Sequence, residues 1–283
     1  DGHIVELLSE NTLFAMMCGH ILNGEPAMMT SYESFFSIVS SQIFQHLKFL
    51  KQADEADWRT ESLPAINLLS TSTCWRQDHN GFSHQSPALI SALLNNPSDR
   101  SNCLFPVDDV SATANYKFLL ESRNVVNLVT FDKNETPRWI DRNHAEFQFE
   151  YGASIFGFTS DDNPDYVFTS AGDDVTRETI AAIEILKEDL PGRRFRFVGV
   201  NALSYEAIGT TDKKMPQHIF DEYYTADKPI IANFHGYADA FKNILSAYTD
   251  RRRIFAHGFE EQGSTTLAAK DYEYKVLANH TWG

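Results

Sequence analysis

Short apolar runs alternating with amphipathic helical patterns constrain this chain more than any other feature. After the polar run Ser160-Asp161-Asp162-Asn163-Pro164, strands are predicted over Tyr166 to Ser170, Phe195 to Val200, Pro229 to Phe234 and Ile254 to Ala256. Helices are predicted over Val175 to Asp189 and Tyr237 to Tyr248. Upstream, Ile4 to Ser9 reads as a buried strand, and Thr12 to Leu22 as a helix stopped by Asn23-Gly24-Glu25-Pro26. Thr30-Ser31-Tyr32-Glu33 has the form of a capping box, which puts Tyr32 in the first turn of a long helix with Phe36, Val39, Ile43, Leu47 and Leu50 on its buried face. Ile66 to Ser70 and Val125 to Phe131 read as further strands. This alternation predicts an α/β protein with two domains, each built on a mostly parallel sheet. The boundary falls near residue 160, giving 1–158 and 163–283.

A chain of 283 residues that is 42% hydrophobic can bury a core in each domain, so a disordered polymer is excluded. The net charge of −15 opposes nucleic acid and anionic membrane surfaces, and makes phosphate binding a matter of local cationic pockets. No apolar run reaches membrane-spanning length, and Asp1-Gly2-His3-Ile4 does not resemble a signal peptide. Cys18, Cys74 and Cys103 form no CxxC pair and suggest neither a disulfide framework nor zinc. A cytoplasmic setting is expected. The abrupt polar start suggests a piece of a longer polypeptide.

In parallel α/β sheets ligands gather at the carboxyl ends of the strands, which directs attention to the loop after Ile66 to Ser70. There, Trp75-Arg76-Gln77-Asp78-His79-Asn80-Gly81-Phe82-Ser83-His84-Gln85 is the densest polar cluster in the chain. From the residues alone it is either a functional loop or a structural hydrogen-bonding knot. Asp78, His79 and His84 are metal-ligand types, but no HExxH or CxxC pattern accompanies them, and Ser83 lies outside a GxSxG elbow. The spacing names no reaction.

The segment from Ser72 to Gln85 closely resembles the signature loop of phosphoketolases. Further stretches agree in order: Leu8-Ser9-Glu10-Asn11-Thr12-Leu13, Tyr32-Glu33-Ser34-Phe35, Asp132-Lys133, Gly152-Ala153-Ser154-Ile155, Ala171-Gly172-Asp173, Asp227-Lys228-Pro229, Phe234-His235-Gly236-Tyr237 and Gly263-Ser264-Thr265-Thr266. The resemblance implies a thiamin-diphosphate-binding pyrimidine-type domain lacking its start, joined to a transketolase-like C-terminal domain lacking its end. The family's diphosphate-binding domain, which holds Mg2+, is not matched. Gly172-Asp173-Asp174 comes nearest to the diphosphate motif, but reads more simply as a turn capping the helix from Val175. Phe14 to Met29 departs from the family pattern.

By resemblance, Glu10 is the carboxyl group that bonds the cofactor's pyrimidine and relays acid-base catalysis; on its own it reads as a helix-start carboxylate. Tyr32 would reach cofactor and substrate, and Phe35 would pack on the pyrimidine, against ordinary core packing for both. Gln77, His79, Asn80 and His84 would line the substrate channel, with His84 also catalytic. Lys133 would contact the substrate phosphate, against a solvated strand-end lysine. No metal ligand is assigned within the chain. The implied reaction is cleavage of xylulose 5-phosphate or fructose 6-phosphate with inorganic phosphate, giving acetyl phosphate and an aldose phosphate in carbohydrate metabolism. The implied partners are the diphosphate-binding domain of the same or another chain, within a homodimer, and the chain alone is expected to be inactive. The rival readings are a noncatalytic cofactor-binding or dimerisation module and a transketolase-type two-carbon transferase.

Overall fold

Residues 3–76 and 84–260 are described by a computed structural model of the chain. The N-terminal half comprises α1 (Glu10–Leu22), β1 (Ala27–Tyr32), a 3-10 segment (Glu33–Val39), α2 (Ser40–Asp54), β2 (Ile66–Thr71), α3 (Ala88–Leu94), β3 (Ser101–Leu104), α4 (Asp109–Glu121), β4 (Val126–Thr130), α5 (Arg142–Tyr151) and β5 (Ala153–Ile155). There follow β6 (Tyr166–Ala171), α6 (Asp173–Asp189), β7 (Phe195–Val200), β8 (Ala202–Ser204), β9 (Ala207–Ile208), α7 (Gln217–Tyr224), β10 (Ile230–Phe234), α8 (Ala238–Ser246) and β11 (Ile254–His257).

The first sheet has the order β1-β2-β4-β3-β8-β9 and is parallel from β1 to β3; the second, β11-β10-β6-β7-β5, is parallel from β11 to β7. Central strands covered on both faces must be apolar throughout, and β2 and β4 are buried along nearly their whole length. Among the polar exceptions, the asparagines are paired. Asn102 donates to Asn127 at 2.9 Å, Asn127 to Asn67 at 2.9 Å and Asn67 to the Leu119 carbonyl at 3.3 Å, a ladder across β3, β4 and β2 that fixes their register.

The sheets exchange strands across the expected junction. β5 precedes residue 158 yet pairs antiparallel with β7, while β8 follows residue 163 and pairs antiparallel with β3. The crossing is tight, because the Gly152 carbonyl accepts from both Asn201 and Ala202.

Two expected elements differ. The run from Ile4 to Ser9 forms no strand: no neighbouring strand pairs with it among the described residues, and Ile4 and Leu8 stay exposed. Thr30 to Glu33 is not a capping box; Tyr32 ends β1 and precedes the 3-10 segment with no side-chain cap, because Ala27 to Tyr32 pair along β2. Ser9 caps α1 instead, accepting the Thr12 N–H at 3.3 Å.

Candidate functional site

The parallel register of β1, β2 and β4 delivers Tyr32, Ser72 and Lys133 to one carboxyl edge, as the last residue of a strand or a few residues beyond it. Lys133 Nζ donates to Ser72 Oγ at 2.8 Å and stands 5.2 Å from the centre of the Tyr32 ring, so an ammonium group is held over an aromatic face. Tyr32 and Phe35 stack with centroids 5.6 Å apart. His84 meets both edge-on, at 6.4 Å from Tyr32 and 5.2 Å from Phe35. Tyr32, Phe35, His84 and Lys133, drawn from separate stretches of the sequence, thus form one half-open aromatic and cationic cluster.

Glu10 is the first residue of α1. It is half-buried and accepts a 3.1 Å hydrogen bond from the hydroxyl of Ser31, the residue before Tyr32. That bond ties the carboxylate to the strand that presents the ring. Gln77, His79 and Asn80 lie outside the described residues.

Ser72 has φ +51°, a left-handed conformation rare for a side-chain-bearing residue, at the point where β2 turns into the candidate loop. A buried polar core beneath this turn escaped sequence reasoning. Glu33 accepts from the Cys74 backbone N–H at 2.6 Å through one oxygen and lies 2.9 Å from His235 Nε2 through the other. Thr73 donates to Asp132 at 3.1 Å, and the Asp132 backbone N–H donates to Asp173 at 2.6 Å. His235 follows β10 and Asp173 follows β6, so the carboxyl ends of both sheets meet here.

The charges are coupled. Burial and the Asp174 carboxylate push Asp173 up to about 7, against the pull of His235 and of two backbone N–H groups. Burial opposes the charged form of His235, but the Glu33 charge and hydrogen bond, with Asp173 and Asp174 behind them, raise its pKa. The signal for these residues was in the matched stretches Asp132-Lys133, Ala171-Gly172-Asp173 and Phe234-His235, but nothing in the spacing links them.

A half-buried carboxylate and an aromatic pair are the kinds of group that take a heteroaromatic ring bearing a protonatable nitrogen, and Ser31 is the link between Glu10 and the strand that ends in Tyr32. Such a set does not suit Mg2+, which needs several oxygen ligands. The metal-type group found among the described residues is Glu33, Cys74 and His235, whose Glu33 oxygens are already engaged by Cys74 and His235.

Residues 1–122 match the family model of D-xylulose 5-phosphate/D-fructose 6-phosphate phosphoketolase, and residues 133–275 match the model of that family's C-terminal domain. A probable phosphoketolase of Pediococcus pentosaceus is 35% identical over 284 residues, covering 98% of this chain and 35% of the relative. The chain therefore spans about a third of the length of the curated relatives it matches. In fold, it is similar to a transketolase of Pichia stipitis solved with sedoheptulose 7-phosphate, with a TM-score of 0.70 at 14% identity over 95% of this chain and 34% of that one. A split-gene transketolase, described as an inactive beta4 tetramer, matches with a TM-score of 0.67 at 15% identity over 97% of this chain and 80% of that one.

Proposed function

The chain belongs to the phosphoketolase family, and on that premise we propose that it supplies the pyrimidine-binding and C-terminal regions of an enzyme splitting xylulose 5-phosphate or fructose 6-phosphate with inorganic phosphate into acetyl phosphate and an aldose phosphate. Thiamin diphosphate, when bound, supplies a nucleophilic carbon able to attack a ketone and to hold the electrons of the broken bond. Glu10 would hold a proton at its carboxyl oxygen for the pyrimidine nitrogen, oriented by Ser31. Phe35 and Tyr32 would pack beside that ring, while Lys133, held by Ser72, would take the substrate phosphate as a compact cation. His84, Gln77, His79 and Asn80 would bond the sugar hydroxyls, with His84 also moving a proton near neutral pH. Mg2+ and the diphosphate would be held by a domain outside this chain.

The gathering of Tyr32, Phe35, His84 and Lys133 at one carboxyl edge carries this reading. Mixing the chain with a separately produced diphosphate-binding domain, thiamin diphosphate, Mg2+, phosphate and fructose 6-phosphate is expected to yield acetyl phosphate, whereas the chain alone yields none. Glu10→Gln should lower kcat of the mixture by about 100-fold or more, the usual size of a lost acid-base group. Acetyl phosphate from the unmixed chain, or full activity in Glu10→Gln, would refute the assignment.

Two other readings have support. The transketolase likeness favours a two-carbon transferase, for which an aldose phosphate would replace phosphate as acceptor in the same assay. The likeness to the split-gene chain, described there as an inactive tetramer, favours a noncatalytic cofactor-binding or dimerisation module, and failure of every diphosphate-binding partner to restore turnover would select it.

A further inference from the structure

Glu33 and His235 meet in a buried contact at 2.9 Å, with Glu33 3% and His235 0% exposed. Glu33 follows Tyr32 directly, and its second oxygen takes the N–H of Cys74, where the candidate loop begins. His235 is bound to the same loop a second time, since its carbonyl accepts from Trp75 Nε1 at 2.9 Å. Both Glu33 and the Cys74 sulfur, at 3.8 Å, approach the same nitrogen of His235, while Nδ1 has no hydrogen-bond partner among the described residues. A catalytic triad would use the two ring nitrogens for different partners, so this arrangement holds position and does not relay a proton to the thiol.

We propose that Glu33 and His235 act as a positioning pair through which the C-terminal sheet sets the backbone from Ser72 to Trp75, and with it the placing of Tyr32 and Lys133 around the substrate. The pair extends the phosphoketolase reading and rests on it for its catalytic consequence. The physical reason is rigidity. One carboxylate with both oxygens engaged inside the protein, one by a backbone N–H and one by an imidazole, cannot shift without leaving a buried donor unpaired. Ser72 needs such support, because its left-handed φ persists only when its surroundings enforce it.

Reaction of Cys74 with a thiol reagent, read by peptide mass, reports the loop start directly, because Cys74 is 0% exposed. Cys103, 1% exposed in β3, reports opening of the fold as a whole. In Glu33→Ala and His235→Ala, Cys74 is expected to react roughly tenfold faster while Cys103 stays protected, and the double variant should add little, since one contact is lost in each case. Cys74 protection equal to the parent's would overturn the pair. Where alanine also exposes Cys103, the milder Glu33→Gln and His235→Gln take its place: faster Cys74 labelling with Cys103 protected supports the pair, and parental Cys74 protection overturns it.

In the mixture with the diphosphate-binding domain, the variants should raise KM for fructose 6-phosphate roughly tenfold and leave thiamin diphosphate affinity within about twofold, with Glu33→Gln partly restoring KM. An unchanged KM would overturn the positioning role even if labelling moved. Labelling requires no turnover, so an inactive parent mixture would count against the enzymatic reading alone.

Discussion

At the scale of single residues, Gly172 shows how the site depends on atoms that do no chemistry. Its φ of +125° is strained for any residue with a side chain, and a Cβ there would lie 2.6 Å from the His235 Cβ. Gly172 therefore lets α6 begin directly against the histidine that meets Glu33. Gly172→Ala is expected to cost about 2 kcal/mol or more from strain and overpacking, which lowers Tm by several degrees, and to speed labelling of Cys74. Thermal unfolding followed by circular dichroism checks the first effect, and an unchanged Tm would show that the helix start can relax. In the sequence, this glycine stood beside Asp173 and Asp174 and read only as a turn. Glu10, Tyr32 and Lys133 could be put forward from the sequence because motif order marked them. Glu33 was not, because its role is set by Cys74 and His235, 41 and 202 residues away.

At the scale of elements, α2 carries a group that burial keeps neutral. His46 is 1% exposed, neither ring nitrogen has a hydrogen-bond partner among the described residues, and Phe49 meets its ring edge-on at 6.4 Å. Burial lowers its pKa from 6.5 to about 4. Because the folded pKa lies below the unfolded one, the stabilising effect is complete above pH 6.5 and is lost as pH falls towards 4. At 1.36 kcal/mol per unit the loss approaches about 3 kcal/mol. His46→Leu should flatten the fall in Tm between pH 6.5 and 4 and raise stability at neutral pH; an unaltered acid limb would mean that the ring is hydrated. The α2 stripe itself was readable from Ile43, Leu47 and Leu50 at helical spacing, and the central strands β2, β4, β6 and β7 from their short, mostly apolar runs. The Ile4 to Ser9 run had the same composition and forms no strand, since a strand exists only where a partner completes its hydrogen bonds. Short β5, β8 and β9, of two or three residues each, give no periodic signal at all.

At the scale of the whole molecule, those short strands decide how the two sheets cohere. The linker near residue 160 invites division of the chain into 1–158 and 163–283, but β5 belongs to the second sheet and β8 to the first. A polypeptide of residues 1–158 would lose the strand that covers the β3 edge, the Asn201 carbonyl that accepts the Phe105 N–H at 2.7 Å, and the Asn201 side chain that accepts from Asn115 at 2.9 Å. It would also carry Phe156, 0% exposed in the whole chain, without the Phe197 ring that meets it at 5.1 Å. An uncovered sheet edge with exposed aromatic surface aggregates or stays molten, whereas a complete one folds cooperatively. The intact chain should therefore unfold in one transition, and 1–158 alone should bind a hydrophobic dye and lack a sharp melt. Coexpression with 163–283 should restore both order and the Glu33–His235 contact. A cooperative melt of 1–158 alone at the parent Tm would instead make the carboxyl-edge site a property of the first sheet. His235 and Asp173 would then be dispensable to it.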